Sequence, residues 1–373
     1  MSRIPAQSPF PAHLLREDLR DFTGYSSART SHAGPPARIW LNANESASAS
    51  TADPDGAQRR YPEPQPPALV AALAAAYDVA AERVVVGRGS DEAIELLIRA
   101  LCRPAGDGVV IASPTFGMYA VGARLHGVPV TDVPQHDLGT RWAVDTAEVA
   151  ERARSAGARL VFLASPGNPT GGVVPLADLA RLAGDLADQA VVVLDEAYQE
   201  FNRAPSAVGL LGSHPNLVVL RTLSKAHALA AARVGCAIAH PELAAVLRRV
   251  QAPYPLPGPV TELALAALAP VARRDTRCRV QDALRGRTRL AEVLRADPRV
   301  RAVYDSEANF ALTRCTDADG LLGALLGSSI VVRDLRHLAG LDDALRVTVG
   351  TDAEIDSVAA ALTLTRSRPA PQL

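Results

Sequence analysis

Lysine is almost missing from this chain. Of its 39 basic residues, 38 are arginine and one, Lys225, is an amine. Arginine-rich, alanine-rich coding accounts for scarce lysine but not for where the survivor sits, in RTLSKAHALAAARVG. A guanidinium neither loses its proton at useful pH nor condenses with an aldehyde, whereas an ammonium moved into a desolvated or cationic site does both. Lys225 is therefore a candidate imine-forming residue. Other absences narrow the field. The four cysteines, Cys102, Cys236, Cys278 and Cys315, have no paired spacing for zinc or a redox couple, so no metal site is expected and the thiols read as reduced. No run is apolar for the length a membrane span or a signal peptide needs, and we expect a cytoplasmic protein with no membrane partner. A formal net charge of −1 gives no support for nucleic acid as a partner. No GxGxxG follows a strand, which disfavours a dinucleotide-binding dehydrogenase. No internal repeat and no helix-turn-helix appendage is present.

What is present is a strand, turn, helix pattern. At 373 residues the chain suggests two domains and is long enough to bury a cleft. Residues 1–60, rich in proline, serine and alanine, predict an irregular arm associated with part of a small domain, with Tyr25, Trp40 and IWLNANE as anchor points. Residues 61–260 predict a large α/β domain. The runs RVVVG, GVVIA, RLVFLA, AVVVLDE and NLVVLRT are short, β-branched and not alternating, as in strands covered on both faces of a mostly parallel sheet. SDEAIELLIRAL places Ile94, Leu97, Ile98 and Leu101 on one helical face. Residues 261–373 predict a smaller α+β domain. It would have a helical stretch over 261–296, strands near 300–304, 308–313, 330–332 and 345–349, and helices near 317–326 and 351–365.

An open α/β sheet builds its site at the carboxyl ends of its parallel strands, and the unusual residues fall there. After RVVVG comes RGSDE, where Ser90 is expected to cap the next helix and leave N–H groups facing an anion; a plain capped helix explains it equally well. After RLVFLA comes SPGNPTGG, which holds Asn168 at the mouth of the sheet. After AVVVL comes Asp195, where an unpaired carboxylate is costly and a cation is needed. After NLVVLRT come Ser224 and Lys225, with Arg233 eight residues on.

In order, these segments resemble the class I and II aminotransferases, pyridoxal-phosphate enzymes of fold type I. The resemblance implies a mostly parallel sheet covered by helices plus a smaller α+β domain, with pyridoxal 5'-phosphate bonded to Lys225. It also implies that Asp195 holds the pyridine nitrogen protonated and that Asn168 and Tyr198 hydrogen-bond the ring's phenolate oxygen. Gly89, Ser90, Asp91, Ser224 and Arg233 would hold the phosphate, and Tyr119 would stack on the ring.

Within that family, YSSART, WLNANES, RRYPEPQP, GRGSDEAIELLIRALC, APYPLPGPV, DSEANF, VVRD and LRVTVGT are similar to the histidinol-phosphate aminotransferase branch. That likeness implies amino transfer between glutamate or 2-oxoglutarate and imidazole acetol phosphate or histidinol phosphate, in histidine biosynthesis. Arg346 and Arg333 would clamp carboxylate or phosphate, since the arginine fork binds either oxyanion. Tyr25 and Arg29 would close over the substrate, Asn44 would contact the cleft, and Tyr61 would reach the cofactor phosphate of a neighbouring subunit, which implies a homodimer with shared sites. The sequence departs from the branch at His227, where phenylalanine is usual, at Ala231 and Ala232, at Gly167, where asparagine is common, and in WLNANES, which lacks the usual following proline. An aromatic amino acid aminotransferase and a phosphothreonine decarboxylase of the same fold stay open as alternatives. A pyridoxal-phosphate-sensing transcription regulator does not, because it needs a fused DNA-binding domain of about 60 residues or more.

Overall fold

The computed structural model describes residues 9–26 and 39–366. Strand β1 (Val84–Arg88) opens the large sheet, followed by β2 (Gly108–Ile111) and β3 (Val130–Asp132). A separate two-stranded hairpin, β4 (His136–Asp137) and β5 (Trp142–Ala143), comes next. Then follow β6 (Ala158–Ala164), β7 (Val191–Asp195), β8 (Leu217–Thr222) and β9 (Val234–Ile238). The seven strands lie in the order β1-β9-β8-β7-β6-β2-β3, parallel except for β9, which runs antiparallel to both β1 and β8. The non-alternating apolar runs have a direct cause. Val84, Val161, Val192 and Val219 pack into the core on one face, while Val85, Leu160, Val193 and Val218 pack into the core on the other. Helices such as Pro67–Tyr77, Gly89–Leu101 and Leu176–Asp185 cover the two faces.

A second sheet is built from β10 (Val300–Val303), β11 (Phe310–Cys315), β12 (Arg333–Asp334) and β13 (Ala344–Thr348), in the antiparallel order β10-β11-β13-β12. Its third strand begins at Arg333, past the expected 330–332, because Ile330 and Val332 turn into the small core instead. The long helical stretch is two helices, Gly258–Leu268 and Pro270–Arg295, divided where Pro270 starts the second. The beginning of the arm belongs with the large sheet and not the small one. Phe10, Leu14 and Leu15 are buried beside Leu97, Val109 and Val246. All four cysteines are free; only Cys278 is exposed. Among the described residues, no helix is long and apolar enough to cross a membrane.

Candidate active site

The strand ends converge on one cavity. Its walls include Ser90, Asp91, Asn168, Asp195, Tyr198, Ser224, Lys225 and Arg233. Residues from four separate turns are thus gathered at the carboxyl edge of β1, β6, β7 and β8, as expected of an open α/β sheet.

Asp195 ends β7 at 5% exposure. One carboxylate oxygen accepts the Tyr119 hydroxyl at 2.9 Å and the other accepts the Ala197 backbone N–H at 3.0 Å. Among the described residues no cation pairs with it. Burial pushes its pKa up to about 6, with those two hydrogen bonds acting in the opposite direction. Tyr119 lines the cavity together with Phe116. It is fully buried and lies flat against Phe162, with centroids 5.0 Å apart and planes 3° apart. Half-buried Phe116 also lines the cavity, edge-on to Tyr119 at 5.7 Å. Two rings of the same segment, Phe116 and Tyr119, thus border the cavity, and the Tyr119 hydroxyl is engaged by Asp195.

The turn after β1 has the free N–H groups and the neighbouring cation that an anion site needs. The helix Gly89–Leu101 has Arg88 as its N-cap with no side-chain cap, so Ser90 is the second helical residue and not the cap. Its first-turn N–H groups are left to an anion by helix geometry. Gly89 has φ +74°, and a Cβ there would sit 2.7 Å from the Arg233 Nη2. Arg233 itself is left-handed (φ 55°, ψ 55°), a conformation that costs a non-glycine residue energy and is held by its surroundings. It donates to Ser224 Oγ at 3.3 Å and to Asp91 Oδ2 at 2.7 Å.

Lys225 Nζ lies 5.6 Å from the centre of the Tyr198 ring. Burial lowers the lysine pKa, and the Arg346 and Arg233 cations lower it further. Burial pushes the Tyr198 phenol up to about 12 against the pull of Arg346. Asn168 Oδ1 accepts a hydrogen bond from Arg346 Nη1, so Arg346, on β13 of the small sheet, is tied to a turn of the large one. The guanidinium also lies over Phe310 at 5.1 Å, and its Nε is buried with no hydrogen-bond partner. Arg333 on β12 is its register neighbour and is exposed.

Other expected residues are not in this cavity. Asn44 and Tyr61 line a second one with Glu45, Arg60 and Pro257, where Tyr61 stacks on Tyr254 at 4.7 Å. Tyr25 is 71% exposed, and Arg29 lies outside the described residues. His227 does not line the cavity either; its Nδ1 is buried without a partner, and its pKa is lowered by burial. Behind the site, buried Arg221 bridges Glu196 at 2.8 Å and Glu200 at 2.6 Å, a layer missed in the sequence because each member reads as an ordinary surface charge. At the surface, His136, Asp145 and Glu148 bring possible metal-ligand atoms within 4.8 Å of one another, but Asp145 already caps the helix Thr146–Ser155.

A buried carboxylate without a cation, an uncapped helix start beside Arg233 and Ser224, and an amine in the same cavity form the set that pyridoxal phosphate requires: a partner for a ring N–H, a phosphate site and a group that bonds an aldehyde. The comparisons agree. Residues 26–362 match the model of the family "Aminotransferase class I and II". The chain is 51% identical to the histidinol-phosphate aminotransferase of Xanthomonas axonopodis pv. citri, over 96% of this chain and 98% of that one. It is also 51% identical to the enzyme of that name from Stenotrophomonas maltophilia, over 95% and 97% of the two. The crystal structure of histidinol-phosphate aminotransferase from Sinorhizobium meliloti in complex with pyridoxal-5'-phosphate superposes with a TM-score of 0.75 at 27% identity, covering 87% of this chain and 90% of that one. With the donor set, the fold and the match agreeing over nearly its whole length, the chain belongs to the class I and II aminotransferases, the pyridoxal-phosphate-dependent enzymes of fold type I.

Proposed function

We propose that this aminotransferase moves the amino group between glutamate or 2-oxoglutarate and imidazole acetol phosphate or histidinol phosphate, the step named by its relatives. The observation that carries the substrate is the 51% identity over 96% of the chain to an enzyme of that name. The geometry supports it through two neighbouring arginines on the small sheet, Arg346 and Arg333, of which Arg346 is hydrogen-bonded to Asn168 in the wall of the cavity. One cation site must accept a carboxylate from one donor and a phosphate ester from the other, and a planar guanidinium serves both.

Pyridoxal phosphate, when bound, supplies an aldehyde that bonds amines and a ring that takes up an electron pair while it is protonated. The chain's residues have distinct tasks. Lys225 is the amine that anchors the cofactor and, once displaced by substrate, the base that carries a proton. Its lowered pKa suits that second task, because a base with a depressed pKa is deprotonated more readily near neutral pH. Asp195 holds a proton on the ring nitrogen, with Tyr119 and the Ala197 N–H fixing the carboxylate. Gly89, Ser90, Asp91, Ser224 and Arg233 would hold the phosphate, Phe116 or Tyr119 would pack on the ring, and Tyr198 and Asn168 would hydrogen-bond its phenolate oxygen.

We further assign the chain to a cytoplasmic homodimer. Tyr61 and Asn44 lie outside the Lys225 cavity of their own chain. Leu41 and Ile39 beside them are 90% and 68% exposed, a surface suited to a second copy. The test is a half-reaction. The cofactor-loaded protein is mixed separately with histidinol phosphate, glutamate, phenylalanine and phosphothreonine, and loss of its visible absorbance is followed. Fast conversion by the first two, with phenylalanine slower, is the expected result. Phenylalanine reacting fastest, or carbon dioxide released from phosphothreonine, overturns the substrate assignment and leaves the fold in place.

A further inference from the structure

The small sheet reaches the large domain through the β4–β5 hairpin as well as through Arg346. Asp137, on β4, splits its carboxylate between two duties. Oδ1 accepts the Gly139 N–H of its own turn at 2.8 Å. Oδ2 accepts the Tyr304 hydroxyl at 2.5 Å and lies 3.4 Å from Arg314 Nη1. Tyr304 lies between β10 and β11, and Arg314 is on β11, so both partners belong to the small sheet. Arg314 is anchored there by Asp343. Next to this contact, the Asp305 N–H donates to the Thr140 carbonyl at 2.8 Å, and buried Trp142 of β5 packs with Tyr304, Leu312 and Leu335.

The hairpin is wedged equally tightly against the Asn168 turn. A Cβ on Gly172 would come within 2.5 Å of the Trp142 carbonyl oxygen. Gly171, at φ +73°, leaves room for Ser306, and its carbonyl accepts the Glu307 N–H at 2.9 Å. Strand β11, held by Asp137 through Arg314, pairs with β13 so that Leu312 faces Arg346, and Arg346 returns to Asn168. The contacts form a closed circuit from hairpin to small sheet to anion clamp to turn and back to the hairpin.

We propose that Asp137 is a positioning residue for the anion clamp: by gripping Tyr304 and Arg314 it fixes the β11–β13 pair, and so sets Arg346 against the Asn168 turn at the spacing a substrate's anionic group needs. Asp137 touches neither substrate nor cofactor. It acts on how well the clamp is preformed, so its loss weakens substrate binding more than it slows the chemical step. The proposal rests on the reading of Arg346 as that clamp.

The test uses the loaded full-length enzyme with Asp137→Asn, which keeps an acceptor for Gly139 and removes the charge, and Tyr304→Phe, which removes only a hydroxyl. Half-reactions with glutamate are followed across concentration, and amide exchange is followed at residues 344–348 and 168–172. The expected result is a rise of about tenfold in the half-saturating glutamate concentration, equivalent to 1.4 kcal/mol of binding. The limiting rate should change by less than about twofold, with faster exchange in both segments. Wild-type half-saturation in both variants overturns the proposal, as does a fall in the limiting rate at unchanged half-saturation without a change in exchange. If Asp137→Asn does not fold, Tyr304→Phe decides. Arg346→Lys is measured alongside: if it leaves glutamate binding intact, the clamp reading fails, whereas if only Arg346→Lys weakens binding, the clamp stands and the positioning role of Asp137 falls.

Discussion

Asp195 is a charge held in place for a partner, so the apoprotein should become more stable when that charge is removed. Burial raises its pKa from 3.8 to about 6. At 1.36 kcal/mol per unit, keeping it ionised in the folded apoprotein costs about 3 kcal/mol. The sign follows from proton uptake. The folded state binds the proton more tightly than the unfolded state, so the penalty is absent below the unfolded value, grows as pH rises and is complete above the folded value. Asp195→Asn preserves an acceptor for the Ala197 N–H and a donor toward the Tyr119 oxygen, while removing the charge. The expected gain is about 3 kcal/mol at pH 8, about half of that at pH 5, and close to nothing below about pH 4. For a chain of this size that is a Tm rise of roughly 4 °C at pH 8. The assay is thermal or denaturant unfolding of cofactor-free wild type and variant across that pH range, repeated with cofactor. With cofactor the order should reverse, because the variant no longer holds the ring proton and loses cofactor affinity. A variant apoprotein no more stable than wild type at pH 8, or a gain that does not vary with pH, would refute the reasoning.

The other predictions can be checked on the same preparations. Lys225→Arg should keep the fold and the charge yet show neither the visible cofactor band nor turnover; a yellow, active variant would remove the amine from the mechanism. Gly89→Ala puts a methyl group 2.7 Å from the Arg233 guanidinium and strains a backbone at φ +74°. It should weaken cofactor binding by about tenfold or more, read by fluorescence titration of the apoprotein. Phe116→Ala should weaken retention of the ring while leaving the Asp195 pH behaviour intact, whereas Tyr119→Phe should do the opposite; the reverse pattern would assign the stacking role to Tyr119. Glu196→Ala leaves buried Arg221 with Glu200 as its single carboxylate partner and strips the Ser206 hydroxyl and the Ala207 N–H of their acceptor, and should cost about 3 kcal/mol of stability in denaturant unfolding.

The strands of the large sheet were legible because being covered on both faces leaves only apolar residues with no alternation, a pattern loops do not mimic. Lys225, Asp195, Asn168, Tyr198 and Arg233 were legible because their chemistry is unusual at strand ends, and all five come together in or beside one cavity. The failures have other causes. VGCAI of β9 was not among the strands read from the sequence, and nothing in its composition encodes that it runs backwards. Phe116 and Tyr119 are three residues apart in a turn that becomes a helix, and the sequence reading named Tyr119 alone although both rings border the cavity. Ser90 looks like a cap, but Gly89 with its positive φ starts the helix one residue earlier. The β4 and β5 strands are two residues each, too short for any period to register, and they carry the contact made by Asp137.

The reversed strand β9 has a consequence for the lifetime of the folded state. Thr222 at the end of β8 pairs with Gly235, and Arg88 at the end of β1 pairs with Val234. The segment that leaves β8 with Lys225 therefore re-enters the sheet with Arg233 beside the turn that carries Gly89. A cofactor bonded to Lys225 and held through its phosphate by Arg233 and the Gly89 turn joins segments far apart in sequence, acting as a removable cross-link. Opening that half of the sheet requires the cross-link to be released first, so a full complement of cofactor should slow unfolding as well as enable the reaction.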